Sequence, residues 1–401
     1  MGATASAADR FAARAVRSAR ALRFHRLLLR AGVATGSVFV WIGIYRYFYQ
    51  QTANTGDAFT HAALLYALAQ VTTVLLLPYA ARLLSHGVRR SMIVGTSAIA
   101  IGFLALGAFG AVGSDVTLTL LFLAFAVLSG AYRAFYRMPH RIDAMPTGLV
   151  SAHTARKLVI MLAPAAAGVA MEYADMPLPA ILGIAGGIAA LSLIPLTRIT
   201  ETYERFAHGY QETFGVLAAR EHRALLLHGI SNGFEGAVYL FAWPIVIFLA
   251  TDRSFLATGV ALSTALVLAL VLRYWGAPLV RPLSVPFVMV LAASAWMARM
   301  VASTPLGVVV VDTYAGAGAS PRAGIDRAGF EQHADLGIYF DDYTIYKEMA
   351  LALGRLVAAL GVAAFAAQTA LSFALVALFC AAAIASAIGV STALTNGRTV
   401  Y

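Results

Sequence analysis

Apolar runs of about twenty residues alternate along the chain with short clusters of charge, proline or glycine, and this alternation recurs twelve times. A helix needs roughly 20 apolar residues to cross a hydrocarbon core. The pattern predicts spans over residues 31–50, 58–83, 91–113, 116–136, 156–173, 177–197, 224–250, 255–273, 284–303, 304–319, 344–366 and 368–391. These are continuous apolar runs, not the short alternating stretches of a transmembrane strand, so helices are predicted and a barrel is not. The tenth is the weakest, because it contains Asp312 and dissolves into Ala315-Gly316-Ala317-Gly318. The predicted fold class is therefore all-α, a polytopic membrane protein with about twelve transmembrane helices.

Composition agrees: 60% of residues are hydrophobic and 12% charged, too little polar surface to cover a soluble core. One cysteine, Cys380, excludes an intrachain disulfide and a cysteine-built metal site. The net charge of +10 would suggest nucleic acid in a soluble chain, but its location changes that reading. Cations fall in alternate loops: Arg82, Arg89 and Arg90, then Arg137, Arg141, Arg156 and Lys157, then Arg198, Arg205, Arg220 and Arg223, then Arg281, then Arg322, Arg327 and Lys347, then Arg398. The intervening loops hold Asp57, Asp115, Glu172, Asp175 and Asp252 with Arg253 as their one clear cation. Cationic loops stay in the cytoplasm, so both termini are expected there, in a plasma or bacterial inner membrane, with no nucleic-acid partner. Arg10, Arg14, Arg17, Arg20, Arg23, Arg26 and Arg30 admit two readings, a targeting segment or a cationic stretch lying on anionic headgroups.

The chain also echoes itself. Residues 24–36 align without gaps on 221–233, sharing His25-Arg26 with His222-Arg223, Leu28-Leu29 with Leu225-Leu226, Gly32 with Gly229 and Gly36 with Gly233. More loosely, Tyr132, Pro139 and Ile142-Asp143 recur as Tyr314, Pro321 and Ile325-Asp326. The expected organisation is a basic N-terminal segment (1–30), a six-helix half (31–197), a cytoplasmic linker of mixed charge (198–223), a second six-helix half (224–391) and a short tail (392–401). Two parallel six-helix halves joined by a charged loop resemble the major facilitator superfamily over essentially the whole chain. That family carries a G-x-x-x-D-x-x-G-R-[RK] loop between its second and third helices. Here Gly87, Arg89 and Arg90 keep the glycine and basic pair, while Leu84 stands at the aspartate and Ala80 at the first glycine. The resemblance implies a monomeric transporter without cofactor, gated at that loop, with a path between the halves lined by helices one, four, seven and ten.

An ionisable group within the hydrocarbon is costly and a functional candidate unless it can reach the interface. Arg133, Arg137 and Arg273 approach cytoplasmic ends and Arg299 an outer end, and snorkelling is expected of all four. Arg46, among Tyr45, Tyr47, Phe48 and Tyr49, either snorkels in an aromatic belt or binds an anionic group from a cavity. In the seventh span His228, Asn232, Glu235, Tyr239 and Trp243 recur every three or four residues, which puts all five on one helical face with Glu235 near mid-depth. A carboxylate there responds to proton or cation occupancy, and the neighbouring amide and rings suit a small organic solute. Arg355, deep in span eleven, either forms a stripe with Glu348 or pairs with Glu235 or Asp312. Tyr314 adjoins Asp312 in the cavity-lining tenth span.

The leading expectation is a secondary transporter: substrate held by His228, Asn232, Tyr239, Trp243, Tyr314 and Arg46, and protons coupled through Glu235, Asp312 and Arg355. The runner-up is a non-pumping protein of the same architecture: a lipid flippase, a sensor or an assembly partner. An integral membrane transferase using Asp341 and Asp342 has only one acidic cluster where such chemistry wants two. His140, Asp143 and His153 lack regular metal-ligand spacing, and no phosphate-binding glycine loop occurs.

Overall fold

The computed structural model describes residues 7–109, 114–142, 151–204, 206, 208–276, 284–318 and 340–395, and their regular elements are all helical. The long helices are α1 (Ala7–Thr52), α2 (Thr55–Leu83), α3 (Val88–Phe109), α4 (Asp115–Ile142), α5 (Ser151–Tyr173), α6 (Leu178–Leu196), α7 (Arg223–Ala250), α8 (Phe255–Gly276), α9 (Val285–Arg299), α10 (305–318), α11 (Phe340–Gln368) and α12 (Leu371–Thr395). Nine of these are long and apolar enough to cross a membrane, among the described residues, so the chain is an integral membrane protein. The basic segment expected before α1 is instead continuous with it, and His25 is fully buried within the bundle.

Within the first six helices α3 packs on α4 and α6, and α1 on α2, α5 and α6; within the second set α7 packs on α11 and α12, and α9 on α12. Two seams join the sets, α2 against α11 and α5 against α8. Shifting each helix by six places, with α1 following α12, turns the first seam into the second, as two pseudo-symmetric halves require. Matching anchors confirm the relation. His25 donates from Nδ1 to the Ser192 carbonyl of α6 at 2.7 Å, and His228 donates from Nδ1 to the Gly389 carbonyl of α12 at 2.9 Å. The sequence echo pairs His25 with His222, whereas the histidine of α7 that makes this kind of bond to α12 is His228.

The halves touch at the face opposite the termini. A Cβ on Gly56 would strike the Ala366 carbonyl, and one on Gly168 the Phe255 carbonyl. Thr60 Oγ1 donates to the Ala363 carbonyl at 3.4 Å, and Ala165 N–H to Ser263 Oγ at 2.9 Å. Phe241 of α7 inserts among Trp41 and Tyr66 of the first half, with ring centroids 5.5 and 4.9 Å away. On the same face Arg253 lies 4.5 Å over the Tyr49 ring and hydrogen-bonds that side chain, which raises the guanidinium above its ordinary value.

At the terminal face the loop between α2 and α3 meets the linker. Gly87 has φ +128°, a conformation closed to most side chains, and a Cβ there would also strike Glu201. Glu201 accepts from the Arg89 amide at 2.9 Å and pairs with its guanidinium at 2.8 Å. The anion missing at Leu84, which is buried, is thus supplied from the linker. Arg90 is exposed. Further along, the linker helix Tyr210–Ala218 begins where Glu212 accepts from the Gly209 amide at 2.9 Å; that bond and the neighbouring His208 hold its carboxyl below the usual range.

Candidate functional site

Two cavities, about 570 and about 250 Å³ in volume, share Tyr239, Leu262 and Leu266; the smaller is lined from both halves, the larger by α7 to α11 with Met161 of α5 alone from the first half. The larger reaches Arg273 and Gly318 at the C-terminal ends of α8 and α10 and Lys347 near the start of α11; the smaller reaches Arg137 near the end of α4. Those helix ends all lie at the terminal face. The structure is therefore closed at the far face, with its internal space displaced toward the termini.

Helix α7 lines the larger cavity with Asn232, Glu235 and Tyr239, and it changes character along its length. After Ala237 it loosens into a π-turn, Val238–Ala242, before resuming at Trp243-Pro244. Pro244 has no amide hydrogen for the ordinary i→i−4 bond, and single π-turns recur at functional sites. Uniform spacing put His228 to Trp243 on one face. The structure instead leaves Asn232, Glu235 and Tyr239 on the wall of the larger cavity, while Trp243 is fully buried and aimed at α10.

There it meets the strongest polar contact in the site. Arg299 donates to Asp312 Oδ1 from Nη2 at 2.7 Å and from Nε at 3.2 Å, and Trp243 Nε1 donates to Oδ2 at 2.9 Å. The guanidinium carbon lies 4.2 Å from the Trp296 ring centroid, 5.4 Å from Trp243 and 5.5 Å from Tyr239. Both charged side chains are almost wholly buried, at 3% and 4% exposure. Such a pair offsets its desolvation only with good geometry and further donors, and this one has both. Snorkelling, expected of Arg299 from its depth, does not occur. The signal that could have found it is Trp296, one turn earlier on the same helix face.

Glu235 Oε1 accepts from Trp296 Nε1 at 2.9 Å and from Ser386 at 3.4 Å, so Trp296 touches both charged centres. Beside it Asn232 donates to His228 Nε2 at 3.0 Å. Because the opposite nitrogen donates to a carbonyl, His228 holds the Nδ1–H tautomer and braces Asn232 from behind, without lining either cavity.

The other expected residues are placed less centrally. Arg46 is exposed, 5.8 Å from the Phe255 ring, and lines neither cavity. Tyr314 also lies off both walls, its hydroxyl 2.8 Å from Ser294 Oγ. Asp312 pairs with Arg299 and not with Arg355. Arg355 is buried, and its Nε has no hydrogen-bond partner among the described residues. The side chains of His140, His153, Asp341 and Asp342, and the whole of Asp143, Pro321, Ile325 and Asp326, lie outside the described residues. Among the described residues no cluster of metal-binding side chains occurs.

The fold is that of the major facilitator superfamily. A variant of the peptide transporter POT matches with a TM-score of 0.61 at 13% identity, covering 94% of each chain. A POT family transporter in complex with 5-aminolevulinic acid gives 0.63 at 10% identity over 94% of this chain and 97% of its own. The nucleoside transporter NupG gives 0.59 at 10% identity over 94% and 99%. No protein-family profile and no curated protein sequence matches the chain.

Proposed function

We propose that the protein is a secondary active transporter that moves a small solute by alternating access between halves at residues 31–197 and 224–391. The termini, the linker and the Arg89–Glu201 contact face the cytoplasm, and the functional unit is one chain. One observation carries the reading: polar groups that would be costly in lipid converge on a cavity in the second half that meets, at Tyr239, Leu262 and Leu266, a second cavity lined from both halves. Solved proteins of this fold include a peptide transporter, a nucleoside transporter and a POT family transporter in complex with 5-aminolevulinic acid, and a small polar solute agrees with the cavity's size.

Protons are the proposed coupling ion. Glu235 lines the cavity and accepts from Trp296 and Ser386, so its protonation would change the charge of the cavity wall. Asp312 differs, since protonating it would release Arg299 from its pair and couple proton entry to movement between α9 and α10. The test is solute uptake into proteoliposomes under an imposed pH gradient. Glu235→Gln should abolish gradient-driven accumulation while leaving exchange without a gradient. Unchanged accumulation by that variant would remove Glu235 from the coupling.

A further inference from the structure

The carboxylates of the site belong to the larger cavity; the smaller one is walled by rings. Trp41 of α1, Phe103 of α3, Phe125 and Tyr132 of α4, and Tyr239 and Trp243 of α7 all line it, so both halves supply aromatic side chains. Those of the first half form one continuous wall, with the Phe125 ring centroid 5.4 Å from that of Phe103 and 6.1 Å from that of Trp41. Aliphatic side chains, among them Ile99, Leu262 and Leu266, complete the enclosure.

Polar groups within this stretch are spent elsewhere. Trp243 Nε1 donates to Asp312 Oδ2 at 2.9 Å and Ser129 Oγ to the Ala126 carbonyl of its own helix at 3.1 Å, so neither hydrogen is offered to the cavity. Arg133 and Arg137 stand further along α4, at the end of the cavity nearer the terminal face. A buried water wants two to four polar partners, and the ring-walled stretch gives it little to bind. An apolar cavity of about 150 Å³ stays dry and takes up benzene. At about 250 Å³ this one has room for two fused rings. Aromatic walls also favour an aromatic guest over a saturated one, because edges and faces of opposite polarity can be matched.

We propose that the smaller cavity is the compartment for an aromatic ring of the transported solute, whose polar remainder extends past Tyr239 into the larger cavity, where Asn232 and Glu235 stand. This rests on the transporter reading and narrows its substrate class to small polar solutes carrying one or two fused aromatic rings. Because rings from both halves would hold the guest, its arrival would favour the arrangement in which the halves close on it.

The test is binding. Purified full-length protein in detergent is titrated with naphthol, and separately with its fully saturated counterpart decahydronaphthol, while the thermal unfolding midpoint is followed. Both alcohols enter micelles, so a difference between them reports the ring-walled site and not the detergent. Naphthol should raise the midpoint saturably and decahydronaphthol should not. Ser129→Leu, which puts a larger side chain into the cavity, should lose the response. Phe125→Leu should raise the half-saturating concentration roughly two- to tenfold, the worth of one aromatic pair. Gly361→Ala, in open space on α11, should leave the response unchanged. Three results would overturn the proposal: no saturable rise with naphthol, an equal rise with decahydronaphthol, or unchanged half-saturation in both Ser129→Leu and Phe125→Leu. Naphthol binding with no flux of any solute into liposomes would sink the transporter reading alone, and saturable flux of ring-free solutes with no naphthol binding would sink this compartment alone.

Discussion

Arg299 and Asp312, thirteen residues apart on α9 and α10, form a salt bridge of 2.7 Å that is shut away from solvent and walled by Trp296, Trp243 and Tyr239. Breaking a buried pair from one side strands the other charge at a cost of about 3–5 kcal/mol. Asp312→Asn should therefore lower the unfolding midpoint sharply, and adding Arg299→Gln should recover much of the loss. Thermal unfolding of the single and double variants checks this. A double variant no better than the single would show that the pair is not the source of the cost.

Trp243 links that pair to α7. Trp243→Phe keeps most of the packing but leaves Asp312 Oδ2 without its indole donor, a loss of about 1–3 kcal/mol. Trp296→Phe leaves Glu235 similarly short of a donor, yet Glu235 borders a cavity that water can enter, so its effect should be smaller. Chemical denaturation compared between the two variants would show the order, and the reverse order would count against the burial assigned to each carboxylate.

Helices α7 and α11 approach closely through glycine. A Cβ on Gly354 would strike the Ile230 carbonyl and one on Gly233 the Leu351 carbonyl, whereas Gly361 of α11 has open space around it. Gly354→Ala and Gly233→Ala should each destabilise by about 1–3 kcal/mol through overpacking. Gly361→Ala should be neutral or mildly stabilising. Unfolding midpoints of the three variants decide it; equal effects would mean that the close approach is not tight.

The contact between Arg89 and Glu201 is a third exposed on the arginine side, which limits its contribution. A double-mutant cycle with Arg89→Ala and Glu201→Ala should give a coupling of about 0.2–1 kcal/mol. Its proposed importance is to gating, so transport rate should fall further in these variants than stability does. Leu84→Asp should not restore function, because Leu84 is buried and Glu201 already supplies the anion.

The helices were legible because bilayer thickness imposes a length on apolar runs, and the arginine pattern separated one side from the other. Polar contacts between helices carry no such period. Depth alone sent Arg299 to the interface, whereas aromatic rings and Asp312 hold it inside. The π-turn was hidden because uniform helical spacing was carried through Val238–Ala242, and the structure places Trp243 on the smaller cavity and against Asp312. Glu201 stood outside the loop motif whose missing aspartate it replaces, and only folding of the linker brings it to Arg89. Glu235, which lines the larger cavity, stood out in the sequence because a lone carboxylate in a long apolar run is conspicuous wherever the helix faces.

For a solute to cross by alternating access, the sealed far face must open. Thr60 of α2 and Ala363 of α11 meet at that seal. Cysteines placed at both positions in a Cys380→Ala background can be locked by oxidation and released by reduction. Reconstituted in liposomes and offered a panel of small anionic, cationic and neutral solutes, the reduced protein should show saturable flux of at least one. Oxidation should stop that flux and reduction should restore it. Flux that continues through the locked protein would contradict alternating access, and flux of every solute no faster than through empty liposomes would contradict transport itself.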